Sequence, residues 1–166
     1  MEMRETGGMG MKPKVMVSQC LLGICCRYDG KSVPKEHVCR EACARGWIPV
    51  CPEILGGLTT PRSPAERVDG RVMNRDGDDV TNAFDRGAHQ ALELAKLYGV
   101  KYAMLKEKSP SCGSGIVYDG TFSGSLTEGY GVTAELFEKN GIKVYGESQL
   151  DELINQLKWD EEHDSI

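Results

Sequence analysis

Three cysteines of this chain occupy equivalent places, each just past a short apolar run with the composition of a β-strand. Cys20 follows Val15-Met16-Val17-Ser18-Gln19, and Cys51 follows Trp47-Ile48-Pro49-Val50. Cys112 follows Tyr102-Ala103-Met104-Leu105 by way of the turn Ser109-Pro110-Ser111. Strands separated by helical stretches imply a parallel sheet, whose carboxyl ends share one edge, and ligands bind in the crevice outside that edge. Thiols far apart in sequence then meet in space. Thiolates are the usual ligands of zinc and of iron–sulfur clusters. A closed zinc site takes four ligands, so three cysteines without an obvious fourth partner suit a metal or cluster with one open coordination position. The competing reading is a set of buried structural thiols, because free cysteine packs as a small hydrophobe.

Two further constellations flank these thiols. In Cys51-Pro52-Glu53 a carboxylate stands two residues past the thiol, at the rim of the expected crevice, where it can take or give a proton. Its bland alternative is a solvated loop glutamate. The stretch Ser109-Pro110-Ser111-Cys112-Gly113-Ser114-Gly115, with Lys106 and Lys108 before it, reads as a loop whose backbone approaches something closely. Turns of this kind are expected to leave N–H groups free for a cluster's sulfurs. A phosphate cradle is a weaker rival, as no GxxxxGK[ST] pattern is present. Cys39 and Cys43, spaced i, i+4, read as packing residues, and of the adjacent Cys25 and Cys26 at most one can face the crevice. His37, His89 and His163 lie in helical patterns or the tail and are assigned to no site.

The elements that must position these groups are legible along the chain. A strand is expected over 14–19, then a turn at Cys20–Gly23 and a helix from about Pro34 to Arg45, with Gly46 ending it. A short strand over 47–50 leads into a long irregular segment, roughly 51–78, rich in Pro and Gly. Val80, Phe84, Ala88, Ala91, Leu92, Ala95 and Leu97 or Tyr98 recur near helical spacing, Gly99 ends the helix, and a strand over 101–105 follows. Ile116-Val117-Tyr118 suggests a hairpin arm closing on the site. A helix over 131–140, a strand over 142–145 and a last helix capped by Ser148, with Asp151 three residues on, complete the pattern. The expected fold is α/β: a single three-layer domain with a mostly parallel, Rossmann-like sheet of four or five strands and helices on both faces. Residues 1–12 read as a flexible tail, 13–158 as the domain, and 159–166 as an acidic, frayed tail.

Composition narrows the function. With 166 residues, 40% hydrophobic and 27% charged, the chain is sized for one globular domain. No run approaches a membrane span and the first ten residues do not form a signal peptide, so a cytoplasmic location is expected. Disulfides are uncommon in that reducing compartment. Seven cysteines, an odd number, then favour metal binding or thiol chemistry. A net charge of −5 argues against a surface built to grip nucleic acid, although Arg27, Arg62 and Arg67 could form a local basic patch.

The blocks Ser18-x-Cys20-Leu21-Leu22-Gly23-x-x-Cys26-Arg27-Tyr28-Asp29-Gly30, Cys51-Pro52-Glu53-x-x-Gly56-Gly57-Leu58-x-x-Pro61-Arg62, Leu105-Lys106-x-x-Ser109-Pro110-Ser111-Cys112-Gly113 and Tyr118-Asp119-Gly120-Thr121-Phe122 resemble those of the DUF523 family, which includes the thiouracil desulfidases. The resemblance spans about residues 14 to 146. It implies a [4Fe-4S] cluster held by Cys20, Cys51 and Cys112, with Cys26 the alternative ligand. It further implies Glu53 as acid/base, Ser109 as the serine assisting at the substrate, and removal of sulfur from a thiolated uracil, without net redox, through an open iron. The net acidity and the lack of a second fused domain, which some relatives carry, favour a thiolated nucleobase or nucleoside over RNA as substrate. Two other readings stand beside this one: a non-catalytic iron–sulfur electron carrier or sensor with four cysteine ligands, and a structural zinc module.

Overall fold

Four buried residues in succession, Val15–Ser18, make β1 (Lys14–Ser18) a strand covered on both faces, as the centre of a parallel sheet requires. The computed structural model, which describes residues 14–164, places it between β2 (Ile48–Val50) and β5 (Val100–Leu105), with β8 (Lys143–Gly146) beyond β5. All three pairings are parallel, in the order β2-β1-β5-β8. Alternate side chains feed two cores. Met16, Ala103, Leu105 and Val144 pack with Ala91, Leu92, Ala95 and Phe137 from α3 (Thr81–Leu97) and α4 (Val132–Lys139). Val15, Val17, Met104 and Tyr145 pack with Val38, Ala42, Leu153 and Leu157 from α1 (Glu36–Arg45) and α5 (Leu150–His163). The result is the expected three-layer α/β architecture. No helix among the described residues is long and apolar enough to cross a membrane.

Several local expectations are corrected. α1 starts at Glu36 rather than Pro34, because Val33 and Lys35 donate their N–H groups to Cys20 O and Leu21 O and are held extended beside the turn after β1. The segment after β2 is not irregular. It opens with a one-turn helix, α2 (Pro52–Leu55), with proline at its start. It continues as an antiparallel hairpin, β3 (Ala65–Val68) and β4 (Arg71–Asn74). Asp69 and Gly70, at φ 49° and 79°, supply the left-handed pair that a tight hairpin turn needs. Ser148 does not cap α5: its N–H and hydroxyl both donate to Glu107 Oε1. Nor does the chain fray at Trp159. α5 runs on to His163, and Asp160 is buried against Tyr102. The expected amino-terminal tail lies outside the described residues.

The region after β5 forms a second hairpin, β6 (Ser114–Tyr118) and β7 (Leu126–Tyr130), as the Ile116-Val117-Tyr118 pattern foretold. The two hairpins stand outside the central sheet, at its carboxyl edge.

Candidate active site

From β1 the chain crosses to β2 on one side and then to β5 on the other, so the strand order reverses between β1 and β5. Crevices in open α/β sheets form at such a point. Here Ser18, the last residue of β1, accepts the N–H of Lys106 just past β5 at 2.9 Å, tying the two strand ends together. Above them opens a cleft of about 550 Å³. Cys20, Cys26, Cys51, Cys112, Glu53 and Ser109 all line it, so every site residue expected from sequence reaches one place. Cys25 and Cys43 are exposed, and Cys39 turns its thiol to Leu21 O; none of the three lines the cleft.

The thiols are crowded. Cys26 is within hydrogen-bonding reach of Cys20 and Cys51, and its pKa is pushed up to about 11, chiefly by the contact with Cys20. Cys51 is raised by its contact with Cys26 and then by burial. Cys112 is pushed up to about 12 by burial, with the charges of Glu53 and Cys51 adding to the shift and the hydroxyls of Ser18 and Ser111 opposing it. Buried thiols packed against each other hold their protons unless cations replace them. This is the donor chemistry of a soft metal centre, and the four thiols fit one. Among the described residues, no three His, Cys, Asp or Glu side chains are set to hold a metal ion as they stand.

Glu53 sits in the first turn of α2, with its side chain 19% exposed. Burial raises its pKa, and the charge of Arg62 opposes the shift. Two glycines let α2 settle there. A Cβ on Gly56 would stand 2.0 Å from Ala83 O, and one on Gly87 would stand 1.8 Å from Pro52 O, so α2 and α3 touch backbone to backbone. Arg62 is the residue sequence reasoning undervalued. Its side chain is 8% exposed, and it donates to Glu53 Oε1 at 3.4 Å, to Cys26 O at 2.9 Å and to Thr59 O at 3.0 Å. It therefore clamps the acid and the Cys26 loop together. Of the three arginines considered for a basic patch, Arg27, which pairs with Asp29, lines the cleft beside Arg62, while Arg67 lies outside it and donates to Tyr130 O and Glu135. The block containing Pro61-Arg62 carried the signal for the clamp.

The Ser109 turn differs from expectation in one respect. Ser109 Oγ accepts the N–H groups of Ser111 and Cys112 at 3.1 and 3.0 Å, and Ser109 O accepts that of Gly113. The N–H groups of Ser111, Cys112 and Gly113 are thus bonded within the turn rather than left for cluster sulfurs. Thr133 N–H donates to Ser111 O, locking the turn onto the start of α4. The Ser109 hydroxyl hydrogen has no acceptor among the described residues and is free to donate into the cleft.

An open parallel sheet that gathers four thiols, a shielded carboxyl and a hydroxyl donor at its switch point defines a class: an α/β protein whose ligand crevice is floored by cysteine. The chain belongs to the 2-thiouracil desulfurase family, whose model matches residues 15–149. It is 39% identical over 150 residues to the Bacillus subtilis protein YbbK, described as uncharacterized, covering 84% of this chain and 99% of that one. Among solved structures it resembles a "[4Fe-4S]-dependent thiouracil desulfidase TudS" at 45% identity and a TM-score of 0.85, covering 89% of this chain and 99% of the other.

Proposed function

We propose that the protein is a [4Fe-4S]-dependent desulfidase that converts a thiolated uracil and water to uracil and hydrogen sulfide without net redox. The observation that supports this most is the convergence of Cys20, Cys51 and Cys112 with Glu53 and Ser109 in one cleft, in a chain similar to a desulfidase of that cofactor. Cys20, Cys51 and Cys112 would hold the cluster. When bound, it supplies a Lewis-acidic iron without a protein ligand, for which a soft thiocarbonyl sulfur has affinity.

The rest falls to side chains. Glu53, held by Arg62, takes a proton from water, whose oxygen attacks the C=S carbon. Burial favours the protonated carboxyl, so the proton is kept for the next step. The C–S bond breaks as Glu53 returns its proton to the departing sulfur as hydrosulfide. The new hydroxyl gives up its own proton to the freed carboxylate as the C=O forms, and hydrosulfide that takes this second proton leaves as H₂S. Ser109 donates its free hydroxyl hydrogen to the ring's polar edge. No electron is gained or lost, so no electron partner is needed. The substrate class is a small thiolated nucleobase or nucleoside.

Anaerobic reconstitution with iron and sulfide, followed by 2-thiouracil and a sulfide assay, tests the reading. The expected protein is brown, carries about four irons as a [4Fe-4S] centre requires, and releases sulfide. Glu53→Ala should keep the iron and lose at least ~10²-fold in rate. A brown protein with unchanged Glu53→Ala activity would remove Glu53 from the mechanism. One observation favours a second reading: Cys26 lies within reach of both Cys20 and Cys51, as a four-cysteine carrier or sensor would have it. Cys26→Ser separates the two, since a three-ligand enzyme retains its cluster and a four-ligand carrier does not.

A further inference from the structure

The block Tyr118-Asp119-Gly120-Thr121-Phe122 has no part in the chemistry above, yet its backbone is held in an unusual conformation in the cleft wall. It turns the chain from β6 toward β7. Phe122 sits at φ 56°, a left-handed conformation that a bulky side chain rarely adopts and glycine takes freely. Two independent devices hold it there. Glu66, on β3 and only 8% exposed, accepts the N–H groups of Gly120 at 3.0 Å and Phe122 at 3.2 Å on the same oxygen. Gly120, at φ 91°, lies so close to β3 that a Cβ would stand 2.7 Å from Arg67 O. The Arg75 guanidinium stands over the Phe122 ring, 6.0 Å from its centroid.

Phe122, Glu66 and Arg75 line the same cleft as Cys112, Glu53 and Ser109. A buried carboxylate and a close-approach glycine are thus used to keep a ring where glycine would sit without strain. Strained residues that the surroundings over-determine cluster at ligand sites. The polar groups at the cleft floor address a substrate's edges and its sulfur. Flat surfaces come from three rings of the lining, Tyr28, Tyr118 and Phe122. The two tyrosines are exposed, whereas Phe122 is half-buried and alone among them is held in a strained backbone.

Resting on the desulfidase reading, we infer that Phe122 is the stacking platform for the substrate's pyrimidine ring, and that Glu66 is a positioning residue that fixes the platform through the 120–122 backbone. Aromatic rings stack on nucleobases largely without regard to base identity. The platform therefore sets affinity for a planar six-membered ring, while Glu53 and Ser109 act at the reacting centre.

The test uses cluster-reconstituted protein, with equilibrium binding of 2-thiouracil by anaerobic calorimetry and sulfide release measured in parallel. Phe122→Gly and Phe122→Asn both accept a left-handed backbone and lack the ring. They should melt at or near the wild-type temperature while binding 2-thiouracil about tenfold more weakly, with the loss falling on KM. Phe122→Tyr should restore binding. Glu66→Ala should reproduce the KM increase, and Glu66→Gln, which keeps an acceptor oxygen, should not. Wild-type binding in the glycine and asparagine variants overturns the platform, and an unchanged KM in Glu66→Ala overturns the positioning role. Wild-type protein that binds no 2-thiouracil overturns both. Wild-type protein that binds it and releases no sulfide, with weakened binding in Phe122→Gly, upholds the platform and sinks the desulfidase reading instead.

Discussion

The two ends of the central sheet engage their polar groups differently. At the amino end, Tyr102 of β5 donates its hydroxyl to Asp160 of α5 at 2.5 Å, and Gln156 donates to the other oxygen of the same carboxylate at 2.9 Å. Each group there answers another. At the carboxyl end, thiols face thiols, Glu53 is half-buried with its single guanidinium partner, and Ser109 keeps a hydrogen to give. Three non-glycine residues among those described have left-handed backbones, and two of them, Lys108 and Phe122, line the cleft. The closed end stabilises a fold whose open end carries crowding and strain, and that unspent capacity makes the open end available to a cluster and a substrate.

Removing a thiol from each population breaks this comparison most sharply. Cys112→Ser at the floor should abolish iron incorporation on anaerobic reconstitution, whereas Cys43→Ser on the outer face of α1 should leave iron per chain unchanged. Iron analysis and visible absorbance decide it. Full iron content in Cys112→Ser would take Cys112 out of the ligand set and leave Cys20, Cys26 and Cys51 to hold the centre.

A smaller effect sharpens the comparison from behind the site. In an ordinary helix, replacing glycine by alanine stabilises by about 1 kcal/mol. At Gly87 the sign should reverse, because the new Cβ would meet Pro52 O at 1.8 Å and force α2 off α3. Overpacking of this kind costs ~1–3 kcal/mol, occasionally more. We expect Gly87→Ala to lose about 2 kcal/mol net, a fall in Tm of roughly 4–8 °C for a chain of this size, and to displace Glu53 with α2. A variant as stable as wild type would mean that the contact between α2 and α3 does not fix the acid.

The floor of the site was legible in the sequence and its walls were not, for physical reasons. Cys20, Cys51 and Cys112 follow apolar runs, and in a parallel sheet a strand's end has only one place to be. The walls depend on contacts between hairpins that no periodicity records: Glu66 reaching Gly120, Arg62 reaching both Glu53 and Cys26. Even so, the β3–β4 hairpin announced itself. Val68-Asp69-Gly70-Arg71 carries the Asp-Gly signal of a tight turn, masked by the prolines and glycines before it. Tail chemistry misled in the other direction. Asp160 looked like one more charge in an acidic run and is instead the buried partner of Tyr102, a pairing across 58 residues that only the packing of α5 on the sheet creates.

That pairing supplies the smallest predicted effect and the only one confined to the closed end. Tyr102→Phe keeps the ring and its edge-on contact with Tyr145 while removing the hydroxyl, so Asp160 retains only Gln156. The loss should be ~1 kcal/mol at neutral pH, with iron content and sulfide release unchanged. The pH dependence tests whether the fold holds the hydroxyl's proton. Burial, and then the hydrogen bond to Asp160, hold the Tyr102 pKa above its ordinary value of 10.0. A folded-state pKa above the unfolded one means that its stabilisation is complete below about pH 10. It is lost as pH rises from there toward the folded value, because the unfolded chain releases a proton that the folded chain keeps. Wild type and Tyr102→Phe should therefore differ by a constant amount up to about pH 10 and converge above it, in denaturant melts followed by circular dichroism. A gap that holds constant through that range would show that the fold does not hold the hydroxyl's proton, and that the closed end owes nothing to it.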